Sequence, residues 1–126
     1  MGFYIESDVI YITKGDDAVL EIESIASQDG SEYALQETDV LTLSVRAMPT
    51  ELLPVLIQID ALPGSGRIVI GHDDTADLDV GRYSADVQLT TAEGKRYTIW
   101  PSIKGDNRYS IKNLNNFVIM PEVTTK

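Results

Sequence analysis

Cysteine is absent from the 126 residues, which excludes a disulfide scaffold, a thiolate zinc site and a cysteine nucleophile together. Histidine is nearly absent: His72 stands alone and leaves little for acid–base or metal chemistry. Basic residues are scarce, 10 against 20 acidic ones, and a net charge of −10 repels phosphate backbones and anionic membranes. No run approaches the roughly 20 apolar residues that cross a bilayer. Met1-Gly2-Phe3-Tyr4-Ile5-Glu6 lacks the basic start of a secretion signal, and Glu6 stands where a myristoylation signal wants Ser or Thr. These absences point away from most enzymes, from nucleic acid and from membranes. What remains is an ordinary apolar share of 43% in a chain long enough for one domain that folds without metal or disulfide.

The charge is unevenly placed. Residues 1–94 carry 18 acidic and 4 basic side chains, whereas residues 95–126 carry 2 acidic and 6 basic ones: Lys95, Arg96, Lys104, Arg108, Lys112 and Lys126. Either a late strand pair carries solvated lysines, or the molecule is electrostatically two-sided and the acidic body of one copy meets the basic end of the next.

Hydrophobic periodicity is two almost throughout, which predicts strands. Val9 to Thr13 is β-branched and aromatic, and Lys14-Gly15-Asp16-Asp17 supplies a turn after it. Val19 to Ile25 and Val40 to Arg46 alternate apolar and polar; Tyr33-Ala34-Leu35 is a short extended piece, and Gly66 to Gly71 is a short strand between glycines. Tyr83 to Leu89 leads through Thr91-Ala92-Glu93-Gly94 into Arg96 to Trp100, a hairpin. Thr50 to Ile57 has the form of a helix start with Thr50 as N-cap, but Pro54 cannot donate its amide and disfavours helix at Leu53, and Val55 to Asp60 is read as an edge strand. A single helical turn is expected near residues 73–78, capped by Asp73 or Asp74. Seven or more short strands in one domain describe an all-β sandwich or barrel.

Asp79-Val80-Gly81-Arg82-Tyr83 favours the sandwich. An Asp-x-Gly-x-Tyr phrase after a helical turn, opening an alternating strand, has the form of the tyrosine corner of immunoglobulin-like domains. The expectation is an immunoglobulin-like antiparallel sandwich with Asp79, Gly81 and Tyr83 at that corner. Ala85 stands where antibody domains have a cysteine, so the inter-sheet disulfide is missing.

Candidate chemistry is thin. Asp73, Asp74, Asp77 and Asp79 cluster, but no mid-loop glycine or closing Glu makes them a calcium loop, and they read as caps and solvated carboxylates. Asp16 and Asp17 belong to a turn. Gly64 and Gly66 also form a turn and lack the Lys and helix of a phosphate loop. Tyr4, Tyr11, Tyr33, Tyr97, Trp100 and Tyr109 would make a sugar-stacking platform if several shared an exposed face, and core or rim residues otherwise. No catalytic, cofactor-binding or metal-binding residue is assigned.

Several phrases carry a resemblance. Tyr11-Ile12-Thr13-Lys14-Gly15-Asp16, Asp29-Gly30, Tyr33 through Val45, Leu56-Ile57-Gln58, Asp74 through Leu78, Gly81-Arg82-Tyr83, Asp86 through Gly94 and Tyr97-Thr98-Ile99 resemble small β-sandwich proteins from prophage tail and baseplate regions of Gram-positive gut bacteria. The N-terminal domain of phage baseplate upper proteins looks like a more distant relative. The likeness covers about residues 4–103 and weakens after Ser102, where a basic stretch from Lys104 to Lys112 precedes Phe117-Val118-Ile119-Met120. It implies a non-enzymatic phage structural protein, made in the bacterial cytoplasm and assembled into the virion, whose partners are tail or baseplate proteins or copies of itself. Residues 104–126 are then a terminal strand or a docking arm, with Lys104, Arg108, Tyr109 and Lys112 as interaction residues, and their removal is expected to leave the sandwich folded. The competing reading is a carbohydrate- or cell-surface-binding module that takes host surface glycans, since a sandwich does not fix function.

Overall fold

The computed structural model describes residues 3–6, 9–22, 25–26, 32–48, 54–100 and 116–121. The fold is all-β. Its strands are β1 (Phe3–Glu6), β2 (Val9–Thr13), β3 (Ala18–Glu21), β4 (Ile25–Ala26), β5 (Glu32–Tyr33), β6 (Val40–Arg46), β7 (Ile57–Asp60), β8 (Arg67–Ile70), β9 (Gly81–Thr90), β10 (Arg96–Trp100) and β11 (Phe117–Met120). One helical turn, α1 (His72–Ala76), joins β8 to β9.

Seven strands form the main sheet in the order β1-β2-β11-β9-β6-β7, with β10 also pairing with β9; the expectation of a wholly antiparallel arrangement is corrected, since β11 runs parallel to β2 and antiparallel to β9. Period-two sequence becomes one-sided burial here: Leu41, Leu43 and Val45 of β6 are fully buried, while Val40, Thr42, Ser44 and Arg46 between them are not. The same face carries Ile10 and Ile12 of β2, Val87 and Leu89 of β9, and Phe117 and Ile119 of β11. A ribbon of β3 and β8 adds Ala18, Leu20, Ile68 and Ile70 to the same continuous core, and β8 contacts β7 and β6. Each large side chain so buried contributes about 1.5–3 kcal/mol through apolar area removed from water.

β9 is long because it serves two neighbours on one edge. Residues 84–90 pair with β6 on one side; on the other, residues 81–83 pair with β11 and residues 87–90 with β10. Both β10 and β11 run antiparallel to β9, so they lie end to end along it. Trp100 is opposite Val87 and Phe117 opposite Tyr83: the chain advances seventeen residues while β9 advances four, thirteen more than an uninterrupted strand would use. The gap is filled by Asn116. Its Oδ1 accepts from the Ala85 amide at 2.7 Å and its Nδ2 donates to the Ala85 carbonyl at 2.9 Å, so a side-chain amide replaces the missing backbone pair.

Several boundaries differ from the sequence reading. The strand read as Val19 to Ile25 runs Ala18–Glu21, and the Ile22 amide adds one further rung to its ladder with β8 by donating to the Gly66 carbonyl at 2.8 Å. A Cβ on Gly66 would stand 2.6 Å from the Ile22 carbonyl oxygen, so only glycine permits that approach. The edge strand read as Val55 to Asp60 is Ile57–Asp60 and does lie at the sheet edge. The single helical turn expected near residues 73–78 is there, as His72–Ala76, and the Leu78 amide closes it by bonding back to the Thr75 carbonyl at 3.1 Å. Its N-cap is Gly71 in place of Asp73 or Asp74; Asp74 acts from the third helical position, its Oδ2 accepting from the Gly71 amide at 2.7 Å. Thr50 to Leu53 lie outside the described residues.

The described part of 104–126 is not a separable arm. Asn116 to Met120 holds two strands of the sheet together, and Phe117 and Ile119 are fully buried beside Ile10 and Ile12. Deleting 104–126 would open the core, so the expectation that the sandwich survives that truncation is corrected.

Candidate functional site

A strand with a partner on one side only can pair with another molecule; β1, β10 and β7 are such strands of the main sheet among the described residues, and the outer edge of β7 is the one whose free side can be worked out residue by residue. β7 pairs with β6 alone among the described strands. Which of its backbone groups are free follows from Asn116. In an antiparallel ladder a residue's N–H and C=O point to the same side, and the side alternates along the strand. Ala85 turns both groups to Asn116, away from β6, so its partner Val45 turns both groups away from β9, toward β7. Val45 and Leu41 do so, accepting from the Leu56 and Ala61 amides. Ile59, opposite Leu43, is therefore bonded to β6, whereas Gln58 and Asp60 direct N–H and C=O outward.

Side chains around this edge are exposed: Leu56, Gln58, Asp60 and Leu62, with Leu62 at 78%. The Asp60 carboxylate accepts from Thr42 Oγ1 at 2.6 Å, and Gln58 Nε2 donates weakly to Ser44 Oγ at 3.5 Å. The turn after β7 folds away from the edge, because the Gly64 amide donates to the Asp39 carbonyl at 2.8 Å. Gly64 needs its φ of +76° for that, and a Cβ there would stand 3.1 Å from Glu37 Cα.

Titratable groups elsewhere serve the fold. The Tyr83 hydroxyl donates to the Asp79 carbonyl at 2.6 Å, bracing the entry to β9, and partial burial raises its pKa. Gly81 opens β9 between them. The Tyr33 hydroxyl donates to Asp39 Oδ2 at 2.5 Å, and that carboxylate pushes the tyrosine up to about 12. Asp39, itself buried, also accepts from the Gln36 amide at 2.8 Å. Asp86 stands on the outer face of the sheet opposite Ser44; burial raises its pKa and Arg46 offsets part of the rise. The β2–β3 turn is clamped to α1: the Gly15 amide donates to Thr75 Oγ1 at 2.9 Å, and the His72 amide donates to Asp17 Oδ1 at 2.7 Å with the ring Nδ1 at 3.0 Å.

Among the described residues no three His, Asp or Glu side chains group so as to hold a metal ion. Asp73 lies beside His72 Nε2 at 3.5 Å, while Asp74 caps α1. The aromatics do not form one exposed face among the described residues: Tyr97 is 46% exposed, whereas Tyr33, Tyr83 and Trp100 pack against the core. Lys104, Arg108, Tyr109 and Lys112 lie outside the described residues. The sequence reading missed Asn116 and Asp39, both buried polar residues whose signal is an Asn or Asp immediately before an apolar strand or within a tight turn. No described helix is long and apolar enough to cross a membrane. Compared with known proteins, the chain matches no family model, no curated protein and no solved structure.

Proposed function

We propose that this chain is a non-enzymatic phage structural protein, a tail or baseplate component that works through protein–protein contacts. The observation that carries the reading is the open edge of β7, where Gln58 and Asp60 offer backbone donors and acceptors to another strand. The fold is read as immunoglobulin-like, supported by the Tyr83–Asp79 hydrogen bond at the entry to β9. The acidic body sets approach and register more than affinity. The resemblance of its strand and turn phrases to prophage tail and baseplate proteins gives the reading its context.

The test is made on particles. Prophage is induced in the source bacterium, virions are purified, and tail fractions are probed with an antibody against this chain. A band recognised by that antibody in the tail fraction is the expected result. Its presence in the cell lysate with none in purified particles overturns the proposal.

A further inference from the structure

We propose that β7 pairs antiparallel with β7 of a second copy, about a two-fold axis through Ile59. The inference rests on the protein–protein reading above and adds the partner and the register to it.

The partner follows from the pattern of the edge itself. Among the described residues, the even-numbered residues of β7 are the ones that turn their backbone groups away from β6, so an antiparallel partner must place Gln58 and Asp60 in hydrogen-bonded pairs. A second copy can do that in three registers. One sets Gln58 against the partner's Gln58 and leaves the partner's Asp60 against Leu56. Another sets Asp60 directly against the partner's Asp60, a like-charge pair that is destabilising. The third sets Gln58 against the partner's Asp60 and the reverse, giving four backbone hydrogen bonds, with Ile59 meeting the partner's Ile59 on the axis. It also brings the exposed Leu62 alongside the partner's Leu56.

Side chains complete that third register. Asp60 uses Oδ1 for Thr42 and keeps Oδ2, which accepts from Nε2 of the partner's Gln58. A polar row then runs Thr42, Asp60, the partner's Gln58, the partner's Ser44. The interface is isologous, so the same contacts occur twice and it closes. It is short, which places it among weak contacts that an assembly reinforces through high local concentration. Each copy carries −10, so salt screens a repulsion and tightens the pairing. A contact between an acidic body and a basic end would loosen instead.

The chain has no cysteine, so single cysteines report register directly. Full-length Q58C, full-length D60C and their equimolar mixture, one of them tagged, are oxidised and run on a non-reducing gel. Cα atoms about 5.5 Å apart in a hydrogen-bonded pair lie within disulfide range. The expected result is a cross-linked heterodimer in the mixture alone. Cross-linking of Q58C or D60C by itself overturns the register. No cross-link in any sample, with a monomeric wild-type mass by light scattering at low and high salt, overturns the dimer while leaving the particle test to decide the phage role. Gln58→Pro removes an N–H that the molecule's own ladder does not use, so the fold is retained. It is expected to weaken wild-type self-association roughly tenfold or more; unchanged association with retained fold overturns the pairing.

Discussion

The far edge of β9 and the outer edge of β7 face the same physical problem with opposite outcomes. Along β9 the partner changes from β10, opposite Val87, to β11, opposite Tyr83, and the position at Ala85 between them is closed by the buried Asn116 amide. On β7 the groups of Gln58 and Asp60 are left turned outward, flanked by exposed side chains. Burial decides the difference. Ala85 is 7% exposed, and an unpaired amide or carbonyl there costs about 1–3 kcal/mol, whereas at β7 water pays the same groups nothing less than a partner would in the free molecule. An interior gap must be closed by the chain itself; a solvated edge is free to be used by another.

Removing the closing elements is the largest way to test that contrast. Phe117→Ala empties a fully buried site in β11 and is expected to cost about 3–5 kcal/mol of unfolding free energy by urea denaturation. Asn116→Leu keeps the volume but leaves both Ala85 groups unpaired, and roughly 2–5 kcal/mol is expected, a large part of the 5–15 kcal/mol typical of a domain. On the open edge, Gln58→Leu is expected to stay within about 0.5 kcal/mol. If Asn116→Leu and Gln58→Leu prove equally mild, the two edges do not differ as described.

The contrast also marks what sequence can convey. The alternation of Val40 to Arg46 became β6 with the same bounds, because one face of that strand is core and the other is not. The pairing of β11 between β2 and β9 has no local signature: Phe117-Val118-Ile119-Met120 is uniformly apolar, and its partners lie more than thirty residues away along the chain. The role of Asn116 is not local, because the gap it fills exists only where β9 passes from β10 to β11. The edge position of Ile57–Asp60 was legible through Pro54, yet the choice of Gln58 and Asp60 as the outward pair depends on ladder parity, which the fold sets. Candidate basic residues from Lys104 to Lys112 fall outside the described residues.

A smaller effect sharpens the same comparison at the start of β9. Tyr83 lies opposite Phe117 in the ladder, and its hydroxyl reaches back four residues to the Asp79 carbonyl at 2.6 Å. Tyr83→Phe keeps the ring and loses that one bond, so about 1 kcal/mol is expected from urea denaturation. A cost equal to that of Phe117→Ala would mean that the corner, and not the β11 pairing, holds this end of β9.

The smallest expected effect is a pH dependence at the clamp between the β2–β3 turn and α1. The backbone N–H of His72 and then its ring hold Asp17 below its ordinary 3.8; the Asp17 carboxylate, then Asp73, hold His72 above its ordinary 6.5. A raised histidine stabilises fully below 6.5 and loses that contribution as pH rises through its folded value. A depressed aspartate stabilises above 3.8 and loses that contribution as pH falls through its folded value. The pair is therefore complete between those two ordinary values, and the wild-type urea midpoint should fall above that window. Both side chains are largely exposed, so solvent screening keeps the effect small. His72→Ala should lower the midpoint more at pH 5.5 than at pH 8.5, while the Gly15–Thr75 bond keeps the turn in place in both. An equal loss at the two pH values would show that the ring packs here without its charge contributing.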